Sequence, residues 1–143
     1  MNNLKTFLCS AMLAITATAV QAADTFTNPV IQRSAPDPTV IRADDGHFYL
    51  YSTEDTPNTP IYRSDNLVDW TLIGTAFSDT SRPSWNPKGG IWAPDINKIG
   101  DKYVLYYSKS EWMGLKDAGV GVATADRPEG PFTDHGCIVS YHN

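Results

Sequence analysis

The sequence predicts an all-β chain in which one four-stranded unit occurs twice, the pattern of consecutive blades in a β-propeller. Three observations predict it. Two segments share the same order of features, one opening at Pro36-Asp37 and the other at Pro94-Asp95, 58 residues apart. Each segment breaks into short runs rich in Val, Ile, Tyr and Thr, bounded by Gly, Asp, Asn and Pro, which is how strands and turns alternate. Asp65 and Asp126, at the ends of the third runs, lie 61 residues apart. A period near 60 with four strands is the sequence form of radial sheet repetition. A single such sheet cannot bury both faces, and propellers typically solve this with four to eight blades around an axis. Two blades do not close a ring. The competing architecture is a two-sheet sandwich of eight strands, but the order of the repeat and the Asp-containing loops favour the propeller.

Ahead of the repeat stands a different kind of segment. Lys5 forms a weakly basic start, an Ala-rich apolar run extends from Phe7 to Val20, and Val20-Gln21-Ala22 places small residues where a signal peptidase needs them. Residues 1–22 are therefore expected to be a secretory signal peptide cut between Ala22 and Ala23, leaving 23–143 as the domain portion in a secreted or periplasmic location. The apolar run is short for a membrane span and has no basic stop-transfer flank, so no stable membrane anchor is expected. Cys9 precedes most of the apolar run, where a lipoprotein cysteine would not sit, and leaves with the leader.

The first unit begins with Thr39-Val40-Ile41, turns at Asp44-Asp45-Gly46 and returns through His47 to Ser52. Ile61 to Asp65 is its third strand, and Leu72-Ile73-Gly74 begins its fourth. In the second unit Ile96 to Ile99 is the first strand, Gly100-Asp101 the turn, Lys102 to Ser108 the second strand and Val120 to Ala125 the third. Pro131-Phe132 leads toward the fourth, and the run from Ile138 reads as the start of a further strand.

Bulk composition excludes several classes. After cleavage only Cys137 remains, so a disulfide scaffold is ruled out. Losing Lys5 leaves ten basic residues against sixteen acidic ones, a net charge of about −6, which disfavours nucleic acid as a partner. His47, His135 and His142 have no zinc spacing, and Asp44-Asp45-Gly46 lacks the ligand periodicity of a calcium loop, so no metal and no cofactor is expected. No serine-hydrolase elbow or phosphate-binding glycine motif occurs. Four tryptophans and seven tyrosines suit sheet cores and flat sugar-binding faces alike.

Asp37 is the leading candidate for chemistry. It stands between Pro36 and Pro38 at the entry to a first strand, so the backbone on either side is restricted and the carboxylate is held in a fixed direction near the propeller axis. It can take a proton from water there, or it can simply cap a turn. Asp95 occupies the matching place in the second unit. Two carboxylates near one axis fit glycoside hydrolysis, which uses an acid and a water-activating or attacking partner. Repetition of Asp95 is equally explained by architecture. The connections Glu54 to Pro60, Phe77 to Gly90 and Glu111 to Gly119 carry Glu54, Trp85 and Trp112, and long loops bearing tryptophan are common at binding faces.

The stretches SAPDPTVIRADDGHFYLYST, IYRSDNLVDWTLIG, GGIWAPDINKIGDKYVLYYSKS and VGVATADRPEGPF together resemble the first two blades of glycoside hydrolase family 43. The resemblance runs to about Gly136. It implies a five-bladed β-propeller, incomplete in this chain, and an inverting glycosidase acting on arabinan or on arabinose- and xylose-containing polysaccharides. By the resemblance, Asp37 is the general base, Trp92 and Asp95 belong to the element that shapes the cleft, and Trp85, Trp112 and Glu54 are candidate substrate contacts. The family's second aspartate and its general-acid glutamate are expected beyond Asn143, so the chain alone is expected to be inactive. A non-catalytic carbohydrate-binding module, an inactive gene remnant and a repeat completed by another chain are the competing readings.

Overall fold

The computed structural model describes residues 25–114 and 117–141, so the expected signal peptide lies outside the described residues. Eight strands follow one another: β1 (Thr39–Arg42), β2 (Phe48–Tyr51), β3 (Pro60–Ser64), β4 (Thr71–Thr75), β5 (Gly90–Ile99), β6 (Lys102–Ser110), β7 (Gly119–Ala125) and β8 (Thr133–Ser140). They form two four-stranded sheets in sequence order, β1 to β4 and β5 to β8, with every neighbouring pair antiparallel. No helix occurs among the described residues.

Turn chemistry sets the hairpins. Gly46 takes φ +87°, its amide donates to the Ala43 carbonyl at 2.9 Å, and Asp45 Oδ1 accepts the His47 amide at 3.0 Å. Between β3 and β4, the Asn66 side-chain oxygen accepts the amides of Val68 and Asp69, an Asx arrangement that reverses the chain without a ladder.

Strand alternation then sorts the side chains. Ile41, Tyr49, Tyr51 and Ile61 of the first sheet face Ile96, Tyr103, Leu105, Tyr107, Ala123 and Ala125 of the second, and Ala76, Phe77, Ile91 and Phe132 seal the margins. Large faces small across β6 and β7: Tyr103 pairs with Ala125, Leu105 with Ala123 and Tyr107 with Gly121. A Cβ on Gly121 would stand 2.4 Å from the Tyr107 ring, so this glycine is what lets the ring lie down on its neighbour. Phe132 meets Tyr51 edge-on at 6.0 Å and Phe77 meets Tyr107 at 5.6 Å. Each such buried ring contributes on the order of 2 kcal/mol by burial alone.

The innermost strands of the two sheets are neighbours. The Ile96 amide approaches Thr39 Oγ1 at 3.5 Å, and the Asp44 amide donates to the Tyr103 hydroxyl at 3.2 Å. Sheets that meet along their first strands in this way are consecutive blades of a propeller, and the chain is a partial propeller.

Two boundaries differ from the sequence reading. β5 begins at Gly90, six residues before Ile96, because the stretch expected to precede the strand is part of it. Its register shifts between Trp92 and Asp95, where Ala93 has φ +42° and Pro94 has no amide to give, so the strand passes through a bulge. The run from Ile138 does not open a new strand: through Ser140 it completes β8, which pairs with β7 along Val120–Val139 and Gly119–Ser140. The antiparallel order gathers the approach to β1, the β2–β3 link, the β4–β5 link and the β6–β7 link at matching strand ends, and the candidate residues lie on these segments.

Candidate active site

Asp37 is exposed, just ahead of β1. The residue before a proline favours extended backbone, yet Asp37 has φ +49°. Two bonds from Thr53 hold it there. The Thr53 amide donates to the Pro36 carbonyl at 2.9 Å, and Thr53 Oγ1 donates to Asp37 Oδ2 at 2.7 Å. Aspartate tolerates the left-handed region better than most residues, so the cost is of order 1 kcal/mol and is readily offset by these contacts.

Thr53 also reaches the second blade. Its Oγ1 accepts the amide of Ala93 at 2.7 Å, so Asp37, Thr53 and the β5 bulge form one chain of bonds. The next residue, Glu54, fixes the geometry from below. Glu54 Oε1 accepts from Arg82 Nη2 at 2.6 Å and from the Ile91 amide at 2.7 Å, while Oε2 accepts from Arg82 Nη1 at 2.6 Å and from the Asn58 amide at 3.0 Å. Burial works to raise the Glu54 carboxyl, but the Arg82 guanidinium and the two amides outweigh it and hold the group below the ordinary glutamate range. Glu54, a candidate substrate contact from the sequence, thus has both oxygens engaged in tying two loops to β5.

Lys109 lies beside this pair, fully buried on the inner face of β6, with Nζ donating to the Pro83 carbonyl at 2.7 Å. Burial, joined by the Arg82 charge, pushes its pKa down.

The candidate tryptophans divide into two kinds. Trp85 packs against the core, stacked on Tyr107 at 6.0 Å, and its Nε1 donates to the Tyr107 hydroxyl at 3.0 Å. Trp92 and Trp112 instead stack on one another with ring centroids 5.1 Å apart and planes within 15°. Trp92 is anchored by Nε1 donating to the Ser110 carbonyl at 3.2 Å, whereas Trp112 is 75% exposed. The pair flanks an open hollow of about 280 Å³ together with Ser110, Glu111, Met113 and Gly114. Gly90 makes room for Trp92: a Cβ there would lie 2.6 Å from the indole nitrogen. Asp95 is exposed beyond the bulge and accepts from Asn97 Nδ2 at 3.1 Å.

The arrangement can therefore present an anchored, water-accessible carboxylate and, across the Thr53–Ala93 bond, an element bearing flat aromatic surface. No group of three or more His, Cys, Asp or Glu able to hold a metal ion occurs among the described residues.

Comparison with known proteins identifies the family. The family described as Glycosyl hydrolases family 43 matches residues 26–143. The chain belongs to glycosyl hydrolase family 43. A probable arabinan endo-1,5-α-L-arabinosidase A of Aspergillus flavus is 35% identical over 73% of the chain, and a non-reducing end α-L-arabinofuranosidase of Bacteroides ovatus is 38% identical over 79%. The chain spans 32% of the length of the first relative and 22% of the second. An α-L-arabinanase of Cellvibrio cellulosa complexed with arabinohexaose is 28% identical, with a TM-score of 0.66 over 77% of this chain and 36% of that one. The Bacillus subtilis arabinanase is 25% identical, with a TM-score of 0.65 over 78% of this chain and 41% of that one. The two sheets are accordingly the first two blades of a five-bladed propeller.

Within this family 43 chain, the structure brings Asp37 and the Trp92–Asp95 element together through Thr53, and it sets Trp85 apart against the core. Sequence reasoning missed Thr53, Arg82 and Lys109. Thr53 and Arg82 carry no motif, and their partners are 16 and 28 residues away. Lys109 did leave a signal, because it shares strand parity with Tyr103, Leu105 and Tyr107 and so faces inward.

Proposed function

We propose that this chain is the N-terminal part of an exported glycoside hydrolase that cleaves O-glycosyl bonds in arabinan or in arabinose- and xylose-containing polysaccharides with inversion, using Asp37 as general base. The observation that carries the reading is the state of Asp37: exposed, held at positive φ, and fixed through one carboxylate oxygen while it faces water. In an inverting step Asp37 takes a proton from water as the water oxygen bonds to the anomeric carbon. The glycosidic bond breaks on the opposite side, and a carboxylic acid outside these two blades gives its proton to the leaving oxygen. Glu54 is not suited to that role, since both its oxygens already accept bonds. Arabinan is favoured as substrate by the names of relatives such as the arabinan endo-1,5-α-L-arabinosidase and the α-L-arabinanase. Export rests on residues 1–22, and the two blades alone are expected to be inactive for want of the acid.

Binding without cleavage is the second reading, favoured by the exposed Trp92–Trp112 pair. The complete enzyme, incubated with linear arabinan and with xylan, separates the two. New reducing ends whose first-formed anomer is inverted support hydrolysis. Retention of configuration would remove Asp37 from the general-base role, and retarded migration in an arabinan gel with no new ends would leave binding alone.

A further inference from the structure

We infer that Thr53 is a positioning residue for Asp37, a role it holds in addition to bonding the β5 bulge; this rests on reading Asp37 as the general base. Three observations carry it. First, the direction of the bond is forced. Thr53 is 5% exposed, its Oγ1 accepts the Ala93 amide at 2.7 Å, and an amide can only donate. The single hydroxyl proton is thereby left for Asp37 Oδ2, 2.7 Å away. A donor fixed in this way engages Oδ2 and leaves Oδ1 for water.

Second, Thr53 grips the approach to β1 through its backbone as well. The β1–β2 ladder ends at Thr39 and Tyr51. Beyond it the Thr53 amide donates to the Pro36 carbonyl at 2.9 Å, so the main chain and side chain of one residue hold Pro36 and Asp37 together.

Third, the repeat does not keep this arrangement. Asp95, the counterpart of Asp37, has Tyr106 as its cross-strand partner and takes its side-chain bond from Asn97. The second blade folds to the same four-stranded form, and there the β6 hydroxyl of Ser108 donates to a backbone carbonyl, that of Trp92, at 3.1 Å. A feature needed only to build a blade would be expected in both.

The test uses the complete enzyme with Thr53→Val, Thr53→Cys and Thr53→Ser, and Asp37→Asn alongside. Valine keeps the shape and removes the donor. Cysteine keeps a polar atom near the Ala93 amide but donates poorly to a carboxylate. Per folded molecule, kcat is expected to fall about tenfold to a hundredfold in Thr53→Val and about fivefold or more in Thr53→Cys, with KM within about twofold. Thr53→Ser should bring kcat back to within about threefold of the parent. A purely structural link would lower the folded fraction and leave kcat per folded molecule unchanged. Should Thr53→Val fail to fold, the Cys and Ser pair still decides. Parent-like kcat in Thr53→Cys, or in a folded Thr53→Val, together with an inactive Asp37→Asn, overturns the positioning role alone. An active Asp37→Asn overturns the general-base reading itself.

Discussion

Replacing Glu54 with glutamine puts the loop clamp to a quantitative test. The carboxylate accepts two 2.6 Å bonds from Arg82, and the two side chains are 13% and 26% exposed, so solvent screens the pair only weakly. An amide keeps one acceptor oxygen, which can still serve the Ile91 amide. Its NH2 group, however, faces an Arg82 donor, and the guanidinium is left without a counter-charge. Hydrogen bonds to charged groups are worth about 1.5–3 kcal/mol net, so losing one and opposing another predicts a destabilisation of about 2–3 kcal/mol at pH 7. With a urea m-value of about 1–3 kcal/mol/M, the unfolding midpoint should fall by about 0.7–3 M. The pH dependence carries a second, independent prediction. The folded Glu54 carboxyl lies below its ordinary value of 4.5, so its stabilisation is fully present above that value and is lost as pH falls through the folded pKa. Urea titrations from pH 7 to pH 3 should therefore show parent and Glu54→Gln converging in acid. A gap below about 0.5 kcal/mol at pH 7, or one that stays constant down to pH 3, would refute the clamp.

Two other substitutions probe the packing beneath the candidate site. Gly90→Ala brings a Cβ to within 2.6 Å of the Trp92 indole nitrogen, so the ring must leave Trp112, and the exciton signature of the stacked pair in circular dichroism should disappear. An unchanged signature would show that the close approach does not hold the ring. Lys109→Met removes a fully buried cation whose pKa is already pushed down, at the loss of one bond to Pro83. Stability at pH 7 should be unchanged or higher by about 1 kcal/mol in urea unfolding, and a loss above about 1 kcal/mol would mean the cation is well compensated.

The strands were legible because local chemistry set them. Gly46 and Gly100 both adopt the positive φ that their turns demand, and the alternation in KYVLYYS assigns the inner face of β6 residue by residue. The start of β5 was not legible. Pro94 argues against a strand, and the bulge that accommodates it depends on Thr53 holding the Ala93 amide from another blade. Asp37 is marked by its flanking prolines, but its conformation is not legible from them, since the contacts that hold it at φ +49° come from 16 residues downstream. Trp85 and Trp112 both sit on irregular connections between strands. What separates them is tertiary: Tyr107 captures Trp85, whereas Trp92 leaves the outer face of Trp112 open to solvent. The bidentate Glu54–Arg82 pair joins two irregular loops that share no periodicity, and nothing in either segment announces it.

The most direct test of the account is Asp37→Asn in the complete enzyme, read for both hydrolysis and binding. Asparagine keeps the shape and can still accept the Thr53 hydroxyl, but it cannot take a proton from water. The account predicts kcat on arabinan lower by about a thousandfold, with polysaccharide affinity within about threefold of the parent. Turnover within tenfold of the parent would contradict it.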